Sequence, residues 1–145
     1  MLQAAKNILH LAEVSTAHAV YRFPARHLKL IGVTGTDGKT TTVSLIAYIL
    51  EKAGKRASLI SSLGATINGH NFDTGSHTTT PYRWGIPKYL RQMVKGKSEY
   101  GVLEITSHGL DQFRTWGINF EVGVITNITH EHLDYHKNWE NYFRS

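Results

Sequence analysis

The chain has 145 residues, 41% hydrophobic and 19% charged, with a formal net charge of +5 and no cysteine. That describes one ordinary domain able to bury a core, which excludes a disordered chain, and the lack of thiols excludes disulfides and thiolate metal sites. No apolar run approaches the roughly 20 residues of a membrane span. The opening Met1–His10 shows no continuous apolar stretch or cleavage pattern, so the expected location is cytoplasmic.

In chain order, Leu2, Ala5, Ile8, Leu9 and Ala12 share one helical face, which predicts an amphipathic helix from Leu2 to about Ala19. A linker around Phe23–Arg26 closes this unit, taken as residues 1–27. Leu28–Thr34 reads as a short buried strand, and Val43–Lys52 as a helix that stops near Gly54. Ala57–Ser61 is the next strand. Ala65–Phe72 carries Asn68-Gly69 between β-prone runs, a hairpin signal. Ile86–Val94 reads as a helix with Leu90, Met93 and Val94 inward, and Tyr100–Ile105 and Val122–Thr126 as two further apolar strands. Nearly continuous apolar strands separated by helices imply an α/β fold with a mostly parallel, doubly wound sheet covered on both faces.

The densest signal is Gly35-Thr36-Asp37-Gly38-Lys39-Thr40-Thr41-Thr42, between the first strand and the helix after it. A glycine turn there gathers backbone N–H groups around an anion, and the helix N-terminus adds partial positive charge. Lys39 is placed to reach the outer phosphates of a nucleotide and Thr40 to hold magnesium. One feature departs from the general P-loop pattern. Val33 occupies the position six before the lysine where glycine is expected, and Gly32 comes one residue early. The competing reading is a glycine turn that only caps a helix. The positive balance suits an acidic ligand such as a nucleotide. Basic residues form no single run and no nucleic-acid module is present, so no nucleic-acid partner is expected.

In a parallel sheet, ligands gather beyond the carboxyl ends of the strands. The strand ending near Ile105 delivers Glu104, Thr106, Ser107 and His108; the one ending at Thr126 delivers Asn127, then His130, Glu131, His132 and Asp134. Glu104 closes an apolar strand, where a carboxylate is costly to bury unless paired or metal-bound; a surface carboxylate at a strand end is the alternative. His130, His132 and His136 suggest zinc, but the glutamate beside the first histidine of a zinc-protease helix is missing. Carboxylate-rich, thiol-free surroundings favour magnesium. His10, His18, His27 and His70 show no pattern.

Four ordered blocks carry a family resemblance. They are Gly32–Thr42, Thr79-Thr80-Pro81, Glu104–Arg114 and Thr126–His136. Together they resemble the Mur ligases, most of all the members that add the third residue of the peptidoglycan stem peptide. The resemblance covers about Leu28 to Ser145 and implies that 28–145 is part of the family's central ATP-binding domain. It implies an ATP- and magnesium-dependent ligase that joins an amino acid to a UDP-N-acetylmuramoyl peptide through an acyl phosphate.

By motif position, Gly35, Thr36, Asp37, Gly38, Lys39, Thr40, Thr41 and Asn127 would bind the nucleotide, with Lys39 the phosphate-binding lysine. The resemblance makes Thr40 and Glu104 ligands of a first magnesium and His132 a ligand of a second, with Lys39, Glu104 and His132 catalytic. Thr79, Thr80, Thr106, Ser107, Gln112 and Arg114 would hold the muramoyl peptide, Arg114 suiting an anion through its planar fork. On chemistry alone, Thr79 and Thr80 read as loop threonines ahead of Pro81.

Asp37 stands where the family usually has asparagine, and Thr106 where it has serine. Relatives have an N-terminal domain for the uridine nucleotide and a C-terminal domain that closes over ATP. The family's carbamoylated lysine would fall just past Ser145, so the expectation is a domain incomplete on its C-terminal side, inactive alone or completed by a partner. A nucleotide-binding module without ligase activity is one alternative. A folylpolyglutamate synthase-like ligase is another, although that family usually has Gly-Lys-Gly or Gly-Lys-Ser in the loop.

Overall fold

Six strands form one sheet in the order β4-β3-β2-β5-β1-β6 in the computed structural model, which describes residues 2–74, 80–129, 135 and 137–144. They are β1 (Lys29–Thr34), β2 (Ala57–Ser61), β3 (Gly64–Ile67), β4 (His70–Phe72), β5 (Tyr100–Glu104) and β6 (Val122–Ile125). β1 pairs in parallel with β5 and β6, and β2 with β5. β3 and β4 extend the sheet as an antiparallel hairpin. Its turn is Asn68-Gly69, both with positive φ (50° and 77°), as a two-residue hairpin requires.

Alternation along β1 and β5 divides the core in two. Ile31, Val33 and Val102 face helix α2 (Lys39–Lys52), packing on Val43 and Ala47. Leu30 and Leu103 face the opposite side with Ile60, Ile67 and helix α3 (Gly85–Lys95), whose Ile86, Tyr89, Leu90 and Met93 are buried. Side chains of this kind contribute about 1.5–3 kcal/mol each on full burial. Gly32 lies on the second face, where an added Cβ would stand 2.9 Å from Ile105 Cδ1. Its glycine serves sheet packing, and the loop proper begins at Gly35.

The chain leaves β1 through α2 toward β2 on one side. It leaves β5 through a short helix α4 (Ser107–Asp111) toward β6 on the other. The carboxyl ends of β1 and β5 therefore flank the crevice where the winding reverses, the usual ligand position of such sheets. Neither α4 nor the last helix, α5 (Trp139–Arg144), is anticipated by periodicity. β6 is the sheet edge here. Val122 and Ile125 are 49% and 63% exposed there.

The N-terminal helix α1 (Leu2–Val20) turns residues outside the predicted apolar set inward. Val14, Ala17 and His18 are buried, whereas Leu9 is 68% exposed. Glu13 pairs with Arg83 Nη1 at 3.2 Å, and just past the helix Tyr21 meets Trp84 edge-on. The expected linker is a 3-10 turn, Pro24–His27, with Pro24 and Ala25 buried.

His18 packs against the Trp116–Gly117 turn with neither ring nitrogen in a well-formed hydrogen bond among the described residues. Burial pushes its imidazole below the ordinary value, and the Trp116 backbone offsets this only in part. The folded chain thus binds the proton less readily than the unfolded one. Stability is intact above about pH 6.5 and declines as pH falls beneath it. Thermal melts between about pH 8 and pH 5 should show this decline, flattened in His18→Leu. Parallel profiles would contradict it.

Candidate active site

Gly35 and Gly38 shape the loop that leaves β1, with φ of 132° and 77°. At Gly35 a Cβ would also collide with Thr126 Oγ1 and lie 2.7 Å from the Asn127 carbonyl. At Gly38 there is open space, so only the left-handed backbone demands glycine. The amides of Lys39, Thr40 and Thr41 open α2 with no intrahelical acceptor, leaving donors for an anion. Lys39 curls back over this turn. Its Nζ donates to Gly35 O (2.8 Å) and Thr36 O (2.7 Å), which stations the ammonium over the loop.

The end of β6 forms the outer wall. Asn127 Oδ1 accepts from Asp37 N at 3.0 Å and Asn127 Nδ2 donates to Asp37 O at 3.1 Å. Thr126 Oγ1 donates to the same carbonyl at 2.7 Å, and Thr36 N donates to Asn127 O. Asn127 thus acts on the loop's own peptide groups. Asp37 is exposed and makes these contacts through its main chain. The Thr36 side chain is buried behind the loop. Two hydrogen bonds at about 1 kcal/mol each predict that Asn127→Ala lowers nucleotide affinity by about tenfold or more. Displacement of a labelled nucleotide checks this, and unchanged affinity would show the clasp to be idle.

Glu104 is only 3% exposed, and three elements meet on it. Thr40 Oγ1 from α2 donates to Glu104 Oε2 at 2.9 Å, as does Ser62 N from just beyond β2. Ser62 Oγ also lies 3.0 Å from Thr40 Oγ1. No lysine or arginine forms an ion pair with Glu104 among the described residues. A hydroxyl and a single described carboxylate beside the loop's open amides form a hard-oxygen set. It fits magnesium, which keeps waters and takes one or two carboxylates. No cluster of three or more histidine, aspartate or glutamate side chains occurs among the described residues, which gives zinc no support there. His130, Glu131, His132, Asp134 and His136 lie outside the described residues, as does Thr79.

Two residues beyond Glu104, a polar cluster continues the same strand end. Thr106 caps α4 by accepting from Gly109 N at 3.0 Å. Its own amide donates to Thr80 Oγ1 at 2.9 Å, and Ser107, nearly buried, opens the helix. Arg114 is 9% exposed, its Nη1 on Thr80 O (2.5 Å) and its Nε and Nη2 on Gln112 Oε1 (3.0 and 2.7 Å). Burial, and after it the nearby Arg83 charge, pulls the Arg114 guanidinium down from its ordinary value, partly offset by Tyr82 and Tyr135. The fold therefore gathers Thr80, Thr106, Gln112 and Arg114 into one cluster. Hydrogen bonds among these four, together with those to Gly109 N and Tyr135 Oη, brace the crevice wall.

Ser62 and Tyr142 join the site without having been picked out in the sequence, and Thr126, read there as a strand end, joins it through its side chain. Ser62 follows a strand end and was reachable by the strand-end rule. Tyr142 carries no local signal.

Sheet order, glycine turn, loop lysine and the threonine–carboxylate pair define a P-loop α/β domain. The family model described as "Mur ligase middle domain" matches residues 33–145, and the chain belongs to the Mur ligase family. It is 43% identical over 127 residues to the UDP-N-acetylmuramoyl-L-alanyl-D-glutamate--2,6-diaminopimelate ligase of Thermosynechococcus vestitus, covering 88% of this chain and 25% of that protein. The protein of the same name from Trichormus variabilis is 44% identical over 137 residues, covering 94% of this chain and 27% of that one. A solved structure of a ligase with this name superposes with a TM-score of 0.71 at 32% identity, over 81% of this chain and 23% of that chain. The chain thus spans about a quarter of the length of these relatives.

Proposed function

We propose that this chain is the nucleotide-binding part of an ATP-dependent amide-bond ligase of peptidoglycan precursor synthesis. The observation that carries the reading is the junction of a loop anion cradle with Glu104, bridged by Thr40 at 2.9 Å. The relatives' names supply the substrates: a UDP-N-acetylmuramoyl-L-alanyl-D-glutamate acceptor and 2,6-diaminopimelate as the amine. The setting is cytoplasmic, where ATP is available. Among the described residues no helix is long and apolar enough to cross a membrane.

The main-chain amides of Gly38 to Thr41 bind and orient the phosphates, and Lys39 offsets charge on the outermost one as it transfers. Thr40 and Glu104 would hold magnesium, which when bound supplies further charge neutralisation across the phosphates. The Thr80–Arg114 cluster meets the chain at Thr106, two residues beyond the end of β5 at Glu104, a suitable wall for the muramoyl peptide's anionic end. The acceptor carboxylate would attack the γ-phosphorus of ATP, breaking its bond to the bridging oxygen, to give an acyl phosphate and ADP. The incoming amine then displaces phosphate and forms the amide.

The test is phosphate release by the chain, and by the same chain carried in a protein of its relatives' length. Release dependent on both UDP-muramoyl dipeptide and diaminopimelate supports the ligase. Nucleotide binding with no substrate-dependent release in either protein would make the chain a binding module instead.

A further inference from the structure

The loop residue that carries Lys39 on its carbonyl is itself held from behind. Thr36 is 5% exposed, and its Oγ1 accepts from Thr129 N at 2.9 Å while meeting Tyr142 Oη at 3.0 Å. Thr36 O accepts from Lys39 Nζ at 2.7 Å. A single residue thus links α5 to the loop lysine. We infer that Tyr142 is a positioning residue for the nucleotide loop: through the Thr36 side chain, its hydroxyl adds to the Asn127 clasp in holding the residue on whose carbonyl the Lys39 ammonium rests. This deepens the nucleotide-binding reading above and rests on it.

Packing supports a role for the hydroxyl beyond that of the ring. Tyr142 is 8% exposed and meets Trp139 edge-on, with ring centroids 6.0 Å apart. The ring borders a cavity of about 200 Å³ shared with Gly35, Leu110 and Ile128, so a phenylalanine would fill the same place. What phenylalanine cannot supply is the second partner of the Thr36 hydroxyl, which has one proton and two lone pairs to satisfy in a buried setting. With that partner gone, Thr36 Oγ1 keeps only Thr129 N behind the loop, and the Thr36–Asp37 peptide is left to the Asn127 clasp. The effect travels by contact from Tyr142 to Thr36 to Lys39.

The experiment is a double-mutant cycle read by calorimetric titration of the chain with magnesium ATP, using Tyr142→Phe, Thr36→Val, their combination and Thr36→Ser. Tyr142→Phe is expected to weaken affinity about three- to tenfold with the thermal midpoint nearly unchanged. Thr36→Val should lose at least as much, the double variant no more than Thr36→Val, and Thr36→Ser should stay near wild type. Wild-type affinity in Tyr142→Phe, or losses that multiply in the double variant, would overturn the inference. If the unaltered chain binds no nucleotide, the parent reading fails and takes this one with it. If it binds and Lys39→Ala does not, a silent Tyr142→Phe sinks the positioning role of Tyr142 alone.

Discussion

Replacing Lys39 with alanine should remove measurable nucleotide binding while leaving the fold nearly intact. The ammonium bridges Gly35 O and Thr36 O at 2.8 and 2.7 Å, so it already sits where loop and helix N-terminus converge. Contacts from a cation to a triphosphate are charge-assisted, at about 1.5–3 kcal/mol each. Losing two of them lowers affinity by at least about 100-fold. The cost to the fold is about 1 kcal/mol, since only two partly buried hydrogen bonds disappear. Calorimetric titration with ATP, paired with a thermal melt, separates the two effects. Unchanged affinity in a folded Lys39→Ala would count against the loop assignment.

Glu104→Gln is the second large effect, and its sign depends on the cation. A glutamine oxygen can still accept from Thr40 Oγ1 and Ser62 N, so both bonds that now meet at Oε2 survive. What vanishes is a negative charge at a position only 3% exposed. With magnesium present, nucleotide affinity should fall about tenfold or more, because the site loses its single described carboxylate. Without magnesium it should hold or improve, since the lost charge repels phosphate. The fold should gain stability, as a buried carboxylate with no described cationic partner costs free energy. Equal losses with and without magnesium would assign Glu104 a purely structural role.

Local signals made the loop and most of the sheet legible. The strand–turn–helix order around Gly35–Thr40 is continuous in sequence, and Asn68-Gly69 announces its own turn. Glu104 stood out because an acid ending an apolar run must find partners, and Thr40 and Ser62 supply them. Features that depend on distant surfaces were less visible. In helix α1 the predicted apolar set leaves Leu9 exposed. The docked face, with Val14, Ala17 and His18, is set by Arg83, Trp84 and the Trp116–Gly117 turn. Helix α4 spans five residues, too few for periodicity to register. The contact between Thr36 and Tyr142 joins residues 106 positions apart, beyond any local pattern.

The measurement that bears most directly on the central claim is calorimetric titration of the folded chain with ATP, with and without magnesium. The account predicts saturable heat at one site, strengthened by the cation and absent in Lys39→Ala. A folded sample giving no heat with ATP under either condition would contradict it.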